Sequence, residues 1–134
     1  LAGYIPDFVL PLPFGPVGVE VKPAMLASEL RPAVTKAMRA GWDLPLVCVG
    51  AWPNLSREPV PIIGLGRFTG DTTAVLYARH GEHEGLVVRD GRMLRCLHCG
   101  GEHDPDEHGI ARDAGALTLR WREAGNLVQW RPTA

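Results

Sequence analysis

The sequence predicts an α/β protein built on a mixed sheet. Two short apolar strands joined by a Pro/Gly loop fit residues 5–21, a helical apolar period follows over residues 23–41, and residues 44–50 form a continuous apolar run. A strand, strand, helix, strand order makes an α/β sheet, and its last connection is a crossover. The 134 residues, 46% of them apolar, are enough to bury a core.

The first two strands are predicted as a hairpin. They are rich in β-branched and aromatic residues, and the loop between them contains Pro11, Pro13, Gly15 and Pro16. Pairing that is symmetric about this loop places Leu10 opposite Val17 and Asp7 opposite Glu20. Alternation along the strands then puts Glu20 and Lys22 on one face. The other face, predicted to be core, takes Val17, Val19 and Val21, joined by Phe8 and Leu10.

The later elements are predicted in the same way. A short helical turn is followed by a helix that begins near Pro32 and stops at Gly41, and residues 44–50 form a buried strand. Further strands are predicted over 61–65 and 74–78, with a weaker one over 86–88. Residues 51–58, 79–85 and 96–109 are predicted as loops. At the C-terminal end, apolar spacing favours a helix over a hairpin.

Composition excludes several function classes. The net charge of −1 gives no global attraction to nucleic acid, so such binding would need a local basic patch. No apolar run is long enough for a membrane span and no signal peptide is visible, which predicts a cytoplasmic protein without membrane contact. Three cysteines do not make a disulfide framework, and a Cys-x-x-Cys in a reducing compartment more often binds metal.

The hairpin carries a recognisable pattern. Pro6-Asp7, followed by Glu20-Val21-Lys22 on the next strand, resembles the PD-(D/E)xK nuclease superfamily, and most closely its transposon-end endonucleases and phage nucleases. The resemblance covers about the first 50 residues. It implies a restriction-endonuclease-like core over residues 1–78 and a metal-dependent DNA endonuclease of phage or mobile-element origin, with other phage or transposon proteins as partners. Because the family has a helix and a strand before the Asp strand, we expect the core to be N-terminally incomplete.

The resemblance also implies roles for the site residues. Asp7 and Glu20 would bind Mg²⁺ or Mn²⁺, with the backbone carbonyl of Val21 as a further ligand, and Lys22 would assist the attacking water. Two facing acids are unfavourable unless a cation lies between them, whereas an ordinary exposed charge cluster would be worth only ~0–1 kcal/mol.

Lys36 and Thr35 on the following helix are candidates for phosphate contact, although a helix-surface Lys is more often merely solvated.

A second metal site is predicted in residues 79–134. Cys96 and Cys99 form a metal knuckle, and tetrahedral zinc needs two more ligands. The spacing allows either His103 with His108 downstream or His80 with His83 upstream, and it does not choose between them. The alternative function is therefore a non-catalytic nucleic-acid-binding or assembly module, in which a structural zinc site orders this segment on a degenerate nuclease core.

Overall fold

The computed structural model describes residues 5–13, 15–51, 62–68, 72–80, 83–90, 93–103, 110–111 and 114–128. These residues form one mixed sheet and two α-helices. The strands are β1 (Phe8–Leu12), β2 (Gly15–Val21), β3 (Leu46–Val49), β4 (Ile62–Arg67), β5 (Thr72–His80), β6 (His83–Asp90), β7 (Met93–Cys96), β8 (Glu102–His103) and β9 (Ile110–Ala111). The helices are α1 (Arg31–Arg39), preceded by a 3₁₀ helix (Ala27–Leu30), and α2 (Ala114–Val128). The prediction of an α/β protein is confirmed.

The sheet order follows the chain. Strands β1 to β8 lie side by side in sequence order, and β9 pairs with β5 at His80. The pair β2–β3 is parallel and all other pairs are antiparallel. A parallel pair needs a crossover, and here α1 supplies it, as predicted.

The hairpin register agrees with the prediction. Leu10 pairs with Val17, and the outermost pair of the two strands is Phe8 with Val19. Continuing by one residue places Asp7 opposite Glu20. One part of the prediction is wrong, because Phe8, Leu10 and Val21 are exposed by 59%, 38% and 46% instead of joining the core. Strand β1 is the edge of the sheet, so its side chains have a neighbouring strand on one side only.

Helix α1 has the predicted limits. Pro32 lies in its first turn, where the missing N–H costs nothing, and Gly41 follows its end with a φ of 82°. Its buried residues Val34 and Ala37 pack with Leu46 and Cys48 on one face of the sheet. Alternate residues of β3 turn to the opposite face, where Val47 packs with Leu117 of α2. The two helices therefore cover opposite faces.

The second half of the chain contains more sheet than predicted. Most of the predicted loop at 79–85 is strand, because β5 continues to His80 and β6 begins at His83, and these two residues pair with each other. Within 96–109, Glu102–His103 forms β8 against β7, while 104–109 lie outside the described residues. Polar composition does not prevent a strand when neighbouring strands supply its hydrogen bonds. Most of the predicted loop at 51–58 also falls outside the described residues. The segments 1–78 and 79–134 share β5 and one sheet.

Candidate functional site

Glu20 is the buried charge of the described structure. It is exposed by 9%, and no other charged residue whose burial is described is buried. It lies near the end of β2, beside Cys48 of β3, on the face covered by α1. Two residues before Glu20 along β2, Gly18 lies on the same face and is covered by Trp42. A Cβ added to Gly18 would lie 2.8 Å from the indole ring. A buried carboxylate in such a position requires charged or hydrogen-bonding partners.

Lys22 supplies one of those partners. Its Nζ lies 2.9 Å from Oε1 of Glu20, with side-chain exposures of 41% for Lys22 and 11% for Glu20. The hydrogen bond to Glu20 raises the pKa of Lys22, and the negative charges of Glu20 and, more weakly, Asp7 add to this shift. Alternation along β2 has thus brought both side chains to one face, as predicted.

Asp7 is held at the start of β1. Its Oδ2 accepts a hydrogen bond of 2.8 Å from the backbone N–H of Val21, across the hairpin. Asp7 is exposed. Val21 lies between Glu20 and Lys22 in the sequence, and its side chain, 46% exposed, points to the opposite face of the strand. The structure therefore brings together the predicted Asp7, Glu20 and Lys22 around the backbone of Val21.

Cys48 is an unexpected neighbour of this cluster. The sequence predicted a buried small hydrophobe, and the residue is fully buried. Burial raises the pKa of Cys48 to about 12, and the charge of Glu20 adds to the shift. The thiol therefore stays protonated beside the carboxylate. Its position next to Glu20 could not be read from the sequence, because it depends on the parallel register of β2 and β3.

A concave surface adjoins the cluster. A groove of about 370 Å³ lies between Lys22 and α1, and Glu29, Pro32 and Lys36 help to line it. A second groove of about 630 Å³ continues along α1, between Arg31 and Arg39. The sequence singled out Thr35 and Lys36 but missed both arginines, although Arg31, Thr35 and Arg39 follow the four-residue spacing that places side chains on one helix face.

The Cys-x-x-Cys segment folds as a tight turn after β7. Sγ of Cys96 accepts hydrogen bonds from the backbone N–H groups of His98 at 3.4 Å and Cys99 at 3.5 Å. Sγ of Cys99 accepts one from Gly101 N–H at 3.4 Å. Gly100 has a φ of 73°, which favours glycine. Backbone amides directed at both sulfurs are the arrangement that stabilises thiolates.

His103 approaches this turn from β8. Its Nε2 lies 3.6 Å from Sγ of Cys99, and this contact lowers the pKa of Cys99. Burial raises the pKa of Cys96. Arg95 fixes the turn by donating to the carbonyl of Gly100 at 3.0 Å. Across the described ranges, however, no three His, Cys, Asp or Glu side chains form a group that could hold a metal ion.

The remaining histidines are only partly described. The backbones of His80 and His83 pair at the end of the β5–β6 hairpin, and β9 joins β5 there, but their side chains are not described. His108 lies outside the described residues. Cys96, Cys99 and His103 are thus brought into one small region, while the choice of a further ligand stays open.

Comparisons with known proteins add no relative. No protein-family model, no curated protein and no solved structure matches the chain. In the part of the chain that is described, no helix has the length and apolar character needed to cross a membrane.

Proposed function

We propose that the chain is a metal-dependent DNA endonuclease that hydrolyses phosphodiester bonds. The observation that carries the proposal is the convergence of Asp7, Glu20 and Lys22 on one face of two adjacent strands, with Glu20 buried to 9% exposure and Lys22 at 2.9 Å from it. The same pattern carries the resemblance to PD-(D/E)xK nucleases of phage and mobile elements, and with it a restriction-endonuclease-like core.

The donor set fits a hard divalent cation. Mg²⁺ usually takes one or two protein carboxylates and fills its octahedral shell with water and substrate oxygens, so two carboxylates are sufficient. Asp7 and Glu20 lie opposite each other at the open end of the hairpin, and Asp7 is exposed to incoming solvent and substrate. Bound Mg²⁺ or Mn²⁺ would neutralise charge on the phosphate and lower the pKa of a coordinated water.

Each protein side chain has a defined task in this proposal. The Val21 N–H holds the carboxylate of Asp7 in place across the hairpin. Lys22 donates one of its three N–H groups to Glu20, which leaves two for a phosphate oxygen or the attacking water. Because the pKa of Lys22 is raised, its ammonium group is charged at neutral pH and acts as a donor and a counter-charge, not as a base.

The test is cleavage of supercoiled plasmid and linear duplex DNA in Mg²⁺, Mn²⁺, Ca²⁺ and EDTA. We expect cleavage in Mg²⁺ or Mn²⁺ only, reduced by at least about 100-fold in Glu20→Gln and Lys22→Met, the range of a lost catalytic group. Glu123→Gln is the matched control, since it removes an exposed carboxylate on the helix that covers the opposite face. Equal cleavage by the control and Glu20→Gln, or no cleavage by the native chain in any metal, would refute the proposal.

A second proposal concerns the knuckle. We infer a structural zinc site that uses Cys99 and His103, with Cys96 turning toward them as zinc binds and either His108 or the His80–His83 hairpin end completing the shell. The supporting observation is the 3.6 Å between Sγ of Cys99 and Nε2 of His103. Two ligands of tetrahedral zinc, at about 2.3 Å for sulfur and 2.0–2.1 Å for nitrogen, stand roughly 3.6 Å apart. If nucleic-acid binding depended on this site and not on Glu20, the chain would be a non-catalytic binding or assembly module.

Elemental analysis of protein prepared with zinc tests this site. We expect one zinc per chain, lost in Cys99→Ser and His103→Ala and retained in His98→Ala, because His98 is exposed in the same turn and is not among the predicted ligands. If His103→Ala retained as much zinc as His98→Ala and the native chain, His103 would not be a ligand. Absence of zinc from the native chain would remove the site.

A further inference from the structure

The groove along α1 begins at the candidate active site. Its first part, about 370 Å³, is bounded by Lys22, the partner of Glu20, and its second part, about 630 Å³, lies along α1. Pro32 and Lys36 line both parts. The two parts therefore adjoin at Pro32 and Lys36, and we call the whole surface, from the charged cluster to the end of α1 at Arg39, the channel.

The lining of the channel is basic, although the chain as a whole has a slightly negative net charge. Its lining contains four cationic side chains, namely Lys22, Arg31, Lys36 and Arg39, and one carboxylate, Glu29. They include both lysines of the sequence, whereas the whole chain has a net charge of −1. Oε1 of Glu29 already accepts a hydrogen bond of 3.0 Å from Leu26 N–H, at the start of the 3₁₀ helix.

The helix presents these cations for an external ligand. Arg31, Lys36 and Arg39 are exposed, and none of them forms an ion pair with another described residue. From Arg31 to Arg39, α1 rises by about 12 Å at 1.5 Å per residue. That is the axial length of roughly three to four phosphates of one DNA strand at about 3.4 Å each.

We propose that this channel binds the sugar–phosphate backbone of the strand that is cut, so that the phosphates flanking the scissile bond on one side lie along α1. This proposal rests on the proposed endonuclease function. Lys22 takes the phosphate at the cluster, Lys36 the next along the channel, and Arg39 the far end, with Arg31 and the Thr35 hydroxyl lining the second part. The contacts are to phosphate only, so they position the strand without reading its bases.

Salt-dependent binding of a fluorescent duplex oligonucleotide, measured in Ca²⁺, tests the channel separately from cleavage. We expect the slope of log K against log salt concentration to fall by about 0.9 in Lys36→Gln and in Arg39→Gln, and by about 1.8 in the double variant. Gln has nearly the helix propensity of Lys and Arg, so α1 should persist, which circular dichroism checks. Arg122→Gln on α2, exposed on the helix that covers the opposite face, is the matched control and should leave the slope unchanged.

The outcomes separate the two proposals. An unchanged slope in the double variant, or an equal fall in Arg122→Gln, would overturn the channel even if Glu20-dependent cleavage is observed. A fall confined to the α1 variants would support the channel even if no cleavage is found, and the endonuclease proposal would then fail alone.

Discussion

The ion pair between Lys22 and Glu20 should be measurable in the metal-free protein. Replacing Lys22 by Met removes the ammonium group but keeps a similar side-chain length, and leaves Glu20 without its 2.9 Å partner. A hydrogen bond to a charged group contributes about 1.5–3 kcal/mol when buried, while exposed pairs contribute about 0.2–1 kcal/mol. Here the Glu20 side chain is 11% exposed but that of Lys22 is 41% exposed, so we expect about 1 kcal/mol after solvent screening.

A double-mutant cycle isolates this energy. The free energy of unfolding would be measured by urea denaturation in EDTA at pH 7 for the native chain, Lys22→Met, Glu20→Gln and the double variant. We expect a coupling of about 1 kcal/mol between the two substitutions, and Lys22→Met alone to lower the Tm by roughly 3–5 °C.

The pH dependence gives an independent check. Because the folded pKa of Lys22 is raised above its ordinary 10.5, the stabilisation is fully present below that value. It should be lost only as the pH rises through the folded pKa. A coupling energy no larger than the usual additivity error of about 0.3–0.5 kcal/mol at pH 7 would refute the assigned ion pair. So would a coupling energy that is already lost when the pH is raised from 7 to 9.

Three further predictions concern metal binding by Glu20, the reactivity of the cysteines and the close approach of β3 and β4. Mg²⁺ at about ten times its Kd should raise the free energy of unfolding of the native chain by about 1.4 kcal/mol, and the gain should vanish in Glu20→Gln; an equal gain in both would exclude Glu20 as a ligand. In metal-free protein at pH 8, a thiol reagent should modify Cys99 first, because His103 lowers the pKa of Cys99, and His103→Ala should slow that reaction. Cys48 is buried and has a pKa of about 12, so it should react only after unfolding. Gly64→Ala should cost at least about 3 kcal/mol or prevent folding, because its Cβ would overlap the backbone carbonyl oxygen of Cys48, whereas Gly85→Ala, with open space at its Cβ, should stay within about 1 kcal/mol. Similar denaturation midpoints for the two variants would contradict the close β3–β4 approach.

Much of the first 50 residues was predictable because their signals are local. Proline and glycine punctuate the hairpin and α1, and apolar spacing distinguishes strand from helix, so β2, α1 and β3 lie close to their predicted positions. Strand β1 begins at Phe8, later than predicted, and the pairing of the hairpin continues through Pro11 and Pro16, which were predicted as loop. The register of the hairpin, and with it the facing of Asp7 and Glu20, followed from symmetry about the loop. The weakest predictions fell on residues 79–103, where strands are polar and are formed by pairing with neighbours and not by apolar pattern.

The sequence by itself determined the α/β class, the crossover and the common face of Glu20 and Lys22, since strand alternation and helix punctuation act over a few residues. Only the tertiary structure decided that Phe8 and Leu10 are exposed at the sheet edge, that Cys48 lies beside Glu20, and that the cations of α1 extend a groove from Lys22. These features depend on which strands become neighbours and on what covers each face. Such long-range contacts join residues that are distant along the chain, and no local pattern specifies them.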